Sequence, residues 1–409
     1  MSKITHLKRA PILLNFAVLL VSAGLLSCGG GEVEIRRSVI NAEPQFTPIL
    51  MRVLSSPIAV EGSDGRFHLV YELELKTPLT GNAVLERVEV YDPDTDKVLA
   101  TLDSAAIHTR FQIGGINRQG LTTLLGPAQF GVLYLHLSFE NREAVPLTVA
   151  HRVTAAIDLN LPPGSEISVG GVTSVRFAPV VVLGAPLKGE NYIAADGCCD
   201  ATRHIRALLP INGGLWLAQR FAIDWEQLDE QNRIFVGDPR DPRSYHIYGK
   251  DLLAVADAKV VVAVDEFADQ VPGAMPTGID VNEADGNHII LDLGNGAYVL
   301  YAHLQPGSVA VNGGETVQRG QVIGRVGNSG NTLEPHLHLH VMDAPSALVA
   351  DGLPYVFENY QITGINLAGT ADFDNAAATG EPATITVIDP PTSHRNQLPM
   401  DLTAVRWPE

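Results

Sequence analysis

Glu334-Pro335-His336-Leu337-His338-Leu339-His340 places three imidazoles at alternate positions. In an extended strand such positions share one face, while Leu337 and Leu339 take the other. Neutral imidazole is the commonest side-chain metal ligand, and its proton moves readily near neutral pH. A strand of this kind can set a metal ligand beside a general base. A plain surface strand with polar alternation, or a lone metal-storage patch, writes the same local pattern, so the flanking sequence has to decide.

Upstream, Gly327-Asn328-Ser329-Gly330-Asn331 is a turn cluster. Before it, the run from Gly314 through Val317, Gly320, Ile323 and Gly324 to Val326 reads as short strands punctuated by glycine. Gly296-Ala297-Tyr298-Val299-Leu300-Tyr301-Ala302-His303-Leu304 alternates apolar and other residues and ends on a further histidine. Together these elements, over residues 200–345, resemble the lysostaphin/LytM-type zinc metalloendopeptidases. That family's pattern has a Tyr-x-His-Leu segment, a Gly-x-x-Val-x-x-Gly-x-x-Ile-Gly run and a His-x-His strand. Their order over one segment is specific where each piece alone is weak.

The resemblance implies that His338 is a zinc ligand, that His336 is a catalytic histidine and that His303 is its partner. It implies that Asp224, in Arg220-Phe221-Ala222-Ile223-Asp224-Trp225, is the carboxylate ligand. The family's first metal-binding histidine stands four residues before that aspartate. Here the position is Arg220, whose guanidinium has no lone pair to offer a cation.

A replacement is suggested by Leu208-Leu209-Pro210-Ile211-Asn212-Gly213-Gly214-Leu215-Trp216-Leu217, two apolar runs joined by Asn-Gly-Gly. With Asn212, Gly213 and Gly214 as a three-residue loop, Ile211 pairs with Leu215 and His204 falls opposite Ala222. That parity puts His204 on the sheet face of Asp224, as a diagonal neighbour about 7–8 Å away between backbones. Pro210 lacks a donor and leaves the register open by a residue. The expected ligand set is His204, Asp224 and His338; the alternative is that His204 is an ordinary loop histidine between Arg203 and Arg206.

Three protein ligands leave one position open on tetrahedral zinc, the arrangement of catalytic sites, where a water becomes acidic enough to attack an amide carbonyl. His336 and His303 then divide proton transfer and oxyanion stabilisation between them. His340 is expected as a solvated strand-end residue, with a supporting role behind the ligands as the alternative. His246 and His288 are expected to be structural or solvent-facing. The acidic insert at 226–241 reads as a long loop able to wall a substrate groove.

Lys3, Lys8 and Arg9 precede an apolar run over 12–26, an export leader too short to span a membrane. Leu25-Leu26-Ser27-Cys28 resembles the bacterial lipobox, which implies acylation of Cys28. Gly29 after the cysteine implies the outer membrane of a Gram-negative cell, facing the periplasm, with acyl chains as the anchor. The formal charge is −18 and the leader holds three cations and no acid, so the exported chain is more acidic still. That excludes nucleic-acid binding through a basic surface. Besides Cys28, only Cys198 and Cys199 occur, and as neighbours they can be a vicinal disulfide, two thiols or extra metal ligands near His204.

Phe67, Leu69, Tyr71, Leu73 and Leu75 alternate along one strand, and Leu133, Leu135, Leu137 and Phe139 along another. Further strands are expected at 84–90, 147–157 and 172–182, with turns at Pro93-Asp94 and Pro163-Gly164. The fold class expected is all-β: an immunoglobulin-like β-sandwich acting as spacer or docking module, then a mostly antiparallel β peptidase domain. The organisation is a leader over 1–27, a tether over 28–47, the sandwich over 48–185, the metallopeptidase-like domain over 186–345 and an extension over 346–409. Within the extension, 355–362 can add a strand, 370–383 reads as a flexible small-residue linker, and 384–407 as an edge strand or a tail that folds back. The functional expectation is a cell-envelope zinc endopeptidase cutting peptide crosslinks of peptidoglycan, with an envelope protein as a further partner. The alternative, favoured by Arg220, is an inactive relative that binds cell wall or activates another hydrolase.

Overall fold

A computed structural model describes residues 45–114, 122–158, 165–200, 203–274 and 276–408. The leader, Cys28 and nearly all of the tether lie outside the described residues. The molecule is mostly β, with antiparallel pairing throughout its three large sheets. No helix among the described residues is long and apolar enough to cross a membrane.

The N-terminal lobe has two five-stranded sheets. One is built on the strands Phe67–Lys76 and Phe130–Phe139, paired along their full length with Leu69 opposite Leu137 and Leu73 opposite Leu133. The other centres on Ala83–Asp92 and Thr148–Ile157. The alternating residues behave as the period-two pattern requires: Leu69, Tyr71, Leu73 and Leu75 join Leu85, Val88, Val90, Val149 and Val153 in one core. Each such leucine contributes about 1.5–3 kcal/mol on burial. The opposite face of Phe67–Lys76 is buried as well. His68, Val70 and Glu72 are 1%, 4% and 1% exposed, and Val70 packs into the core of the C-terminal lobe.

The C-terminal lobe is built on one eleven-stranded sheet. Its centre runs Ala258–Val264, His288–Gly294, Ala297–Ala302, Leu337–Met342, Ile223–Gln227 and Tyr192–Ala195, and it continues through Thr403–Arg406, Tyr360–Ile365 and Thr386–His394. The segment after residue 345 is thus part of the sheet. The expected flexible linker at 370–383 instead forms the helix Thr370–Thr379, which buries Phe373 and Ala376 beside Ile234 and Phe235. Its Ala376-Ala377-Ala378 run favours a helix, and Gly380, at φ 73°, ends it by donating its N–H to the Ala376 carbonyl at 2.9 Å. Leu228, Ile234 and Phe235 fasten the 226–241 insert to the same cluster. Cys198 and Cys199 are joined as a vicinal disulfide.

Candidate metal centre

Leu337–Met342 is buried on both faces. Leu337, Leu339 and Val341 point into the main core, so His338 and His340 share the other face. Two neighbouring strands bring the remaining groups. Ile223–Gln227 sets Asp224 opposite His338, and Ala297–Ala302 sets Ala302 opposite His338 from the other side. His303 follows at once, at φ 63°, an uncommon conformation for a residue with a Cβ. Its backbone is held there by the Asp285 carbonyl at 3.0 Å and the Gly327 N–H at 3.1 Å.

Three imidazoles crowd the Asp224 carboxylate. His338 Nδ1 lies 2.8 Å and His336 Nε2 3.5 Å from Oδ1, and His204 Nε2 lies 3.2 Å from Oδ2. His204, Asp224 and His338 offer ligand atoms within 4.8 Å of one another, as do His303, His336 and His338. Each expected site residue from 204 to 338 therefore falls in one cluster.

The route by which His204 arrives differs from the expectation. The hairpin loop has two residues, Asn212 and Gly213, with Ile211 paired to Gly214 and Leu209 to Trp216. Both loop residues have positive φ, which suits a two-residue turn and not the three-residue loop expected. The ladder ends at Leu209, so no strand register carries His204 to a place opposite Ala222. His204 sits in a turn, and its Nδ1–H donates to the Asp196 carbonyl at 2.8 Å, which fixes the ring.

Arg220 faces elsewhere. Its guanidinium is 4% exposed and reaches Glu72 of the N-terminal lobe at 2.9 and 2.8 Å, Asp351 at 3.0 Å and the Gly352 carbonyl at 2.8 Å. His340 is also a correction: it is fully buried, not solvated, and its Nδ1 lies 2.9 Å from His338 Nε2. His246 and His288 stand outside the cluster, His246 Nε2 at 3.6 Å from Asp229 and His288 Nδ1 on the Gly286 carbonyl at 2.8 Å.

Electrostatics separate the imidazoles. Burial opposes charge on His204, but Asp224 and Asp196 outweigh it and push its pKa up to about 9. Burial wins at His338, His303 and His340, all held below the ordinary range. Burial opposes charge on Asp224 too, but His204, His336 and His338 together hold it well below the usual carboxylate range. Behind the cluster, burial and the neighbouring Glu334 and Asp224 push Glu226 well up, and its Oε2 has no hydrogen-bond partner among the described residues. Glu226, Glu334 and Asp196 were not singled out as site residues, although Glu226, two places after Asp224, and Glu334, two places before His336, share the parity of those residues.

The donor set fits a zinc ion. One carboxylate faces three imidazole nitrogens, a set of oxygen and nitrogen donors that a divalent cation can share. The 3.2 Å between His204 Nε2 and Asp224 Oδ2 matches the roughly 3.3 Å between two ligands bound at about 2.0 Å in a tetrahedron.

Residues 246–349 match the family described as Peptidase family M23, a span that holds His303, His336 and His338. Among solved structures, the chain is similar to the catalytic domain of the antimicrobial peptidase lysostaphin from Staphylococcus simulans, at 22% identity over 40% of this chain and 88% of that one, TM-score 0.23. It is also similar to a zinc containing peptidase from Vibrio cholerae, at 14% identity over 71% and 83%, TM-score 0.25. A mutant catalytic domain of the prophage-encoded M23 protein EnpA from Enterococcus faecalis gives 16% identity over 39% and 87%, TM-score 0.24. No curated protein matches the chain. The strand with its paired histidines and the turn that presents His303 both fall within residues 246–349, the span that matches peptidase family M23.

Proposed function

We propose that the chain is a zinc metalloendopeptidase of the cell envelope, acting on peptide bonds in peptidoglycan crosslinks, with His204, Asp224 and His338 as its zinc ligands. The observation that carries this reading is the convergence of His204 on Asp224 and His338 while Arg220 turns away. The lipobox-like leader ending at Cys28 supports placement at the outer membrane, facing the periplasm where the substrate lies.

The residues divide the work by their fixed tautomers. His204 keeps its proton on Nδ1, toward Asp196, and turns Nε2 to the centre. His338 Nδ1–H donates to Asp224 at 2.8 Å; with its proton moved to Nε2, toward His340 Nδ1 at 2.9 Å, its Nδ1 lone pair would serve an ion shared with Asp224. Zinc, when bound, supplies charge to polarise the scissile carbonyl and to acidify a water. His336 donates from Nδ1 to the Glu334 carbonyl at 2.8 Å and presents Nε2 as the base that takes the proton of the attacking water and returns it to the leaving amine. His303 donates from Nδ1 to the Ser329 carbonyl at 2.8 Å, and its ring centroid is 4.8 Å from that of His336. With Nδ1 engaged, its Nε2 lone pair accepts from the water and helps His336 orient it.

The test is muropeptide release and new amino termini from purified peptidoglycan, using the chain from Glu32 onward, which keeps every described residue. Release by this form and not by His336→Ala supports the reading. Bound zinc with no release by either overturns it in favour of a wall-binding or hydrolase-activating role, the reading that the loss of histidine at position 220 favours.

A further inference from the structure

His68 and His136 lie on the face of the N-terminal sheet that is turned away from the sandwich core. His136 pairs with Val70 and His68 with Ser138, so the two imidazoles are diagonal neighbours across adjacent strands. Their rings stack with centroids 5.2 Å apart, and His68 Nδ1 faces His136 Nε2 at 2.9 Å. The far nitrogen of His68, Nε2, lies 3.0 Å from Asp64 Oδ1. Cys199 comes from the C-terminal lobe, and all three residues offer ligand atoms within 4.8 Å of one another. His68 is 1% and Cys199 3% exposed.

We propose that the dithiol form of Cys198 and Cys199 binds a second zinc ion through His68 Nδ1, His136 Nε2 and Cys199 Sγ, which joins the two lobes. Two ring nitrogens that face each other in a buried place leave room for one proton or one cation between them. Asp64 behind His68 fixes the proton on Nε2 and turns the Nδ1 lone pair inward, the carboxylate support found behind metal-bound histidines. Gly62 makes that support possible: a Cβ there would come within 2.7 Å of His68 Nε2 and 2.9 Å of Asp64 Oδ1. A thiolate beside two imidazoles is a donor set that suits zinc and other thiophilic cations, and it differs from the nitrogen and oxygen set around Asp224.

The site depends on the redox state. In the disulfide, Cys199 Sγ is bonded to Cys198 and offers no thiolate. A dithiol reductant gives the pair two electrons and two protons, leaves as its own disulfide, and frees both thiols. Binding then releases the Cys199 thiol proton, while the proton between the two rings moves to His136 Nδ1, so that both histidines ligate as neutral imidazoles. Cys199 lies between Asp196 and His204 in sequence, so an ion held there pins the segment that presents His204 to the other centre.

Cobalt(II) titration of the full chain in detergent tests this, because a thiolate-to-cobalt charge-transfer band can arise only where sulfur is a ligand. The chain is reduced with a dithiol, freed of reductant and titrated anaerobically. The expected band appears in the reduced wild type, is absent from the disulfide form, and is lost in Cys199→Ser and His136→Ala. Cys198→Ser cannot form the disulfide and gives the band without reductant. His338→Ala keeps the band, so failure of the zinc peptidase reading leaves this result intact. Asp64→Asn is expected to weaken binding by about 10–100-fold. No band in either the reduced wild type or Cys198→Ser overturns the proposal, as does a band that survives Cys199→Ser.

Discussion

Arg220 and Asp224 stand four residues apart in the chain, and their buried charges meet opposite surroundings. In the seam between the lobes, Arg220 uses its donors on Glu72, Asp351 and the Gly352 carbonyl. Burial opposes the guanidinium charge, and Glu72 and Asp351 more than restore it. Around Asp224 a single carboxylate meets three imidazoles. The first arrangement closes on itself and serves the fold. The second gathers donors that a cation can share, which marks it as the candidate place for chemistry.

That contrast can be broken at several points. The largest effect is expected from His336→Ala, which removes the proposed base and should lower kcat by about 10²–10⁴-fold while zinc stays bound. Steady-state kinetics with metal analysis checks this, and loss of zinc in the variant would make His336 a ligand instead. Arg220→Ala should cost about 3–5 kcal/mol in denaturant unfolding, because it leaves Glu72 buried without its partner. The same variant should hold as much zinc as the parent, and if zinc falls with stability the two regions are not separate.

His151 sharpens the comparison from the N-terminal lobe. It is fully buried, bonded to Tyr71 Oη at 2.9 Å and to the Gly171 carbonyl at 3.0 Å, with no carboxylate beside it. Burial therefore lowers its pKa from 6.5 to about 4, where His204 beside Asp224 goes up to about 9. Between those two values for His151 the unfolded chain binds the extra proton, so stability is full above about pH 6.5 and falls as pH drops toward about 4, by about 3 kcal/mol. Unfolding midpoints across that window should slope in the parent and flatten in His151→Gln; equal slopes would assign the acid sensitivity to other groups. The smallest effect is expected at His340→Ala, a loss of about 10–100-fold in zinc affinity measured by competition with a chelator, since only the support behind His338 is removed.

What could be read from the chain follows from how local each signal is. The period-two runs at Phe67–Lys76 and Leu337–Met342 encode their own strands and faces, so the all-β character and the facing of His338 were legible. Proximity of His204 to Asp224 was expected, but for the wrong reason. A hairpin register was invoked, whereas a turn tied to the Asp196 carbonyl delivers the ring. His340 looked solvated because nothing local shows that Gly352–Leu353 pairs onto the strand beyond it. The partner of Arg220 could not be found at all, since Glu72 lies in another lobe and only tertiary packing joins them. The helix at Thr370–Thr379 was misread as a linker because its alanines are small, although alanine is the best helix former.

Zinc analysis of the oxidised parent chain beside His204→Ala tests the central claim most directly. The account predicts about one zinc per chain in the parent, the number expected of a single three-ligand site, and near-complete loss in the variant. Undiminished stoichiometric zinc in His204→Ala would contradict it, and would mean that the turn at position 204 only packs beside a centre built from other residues.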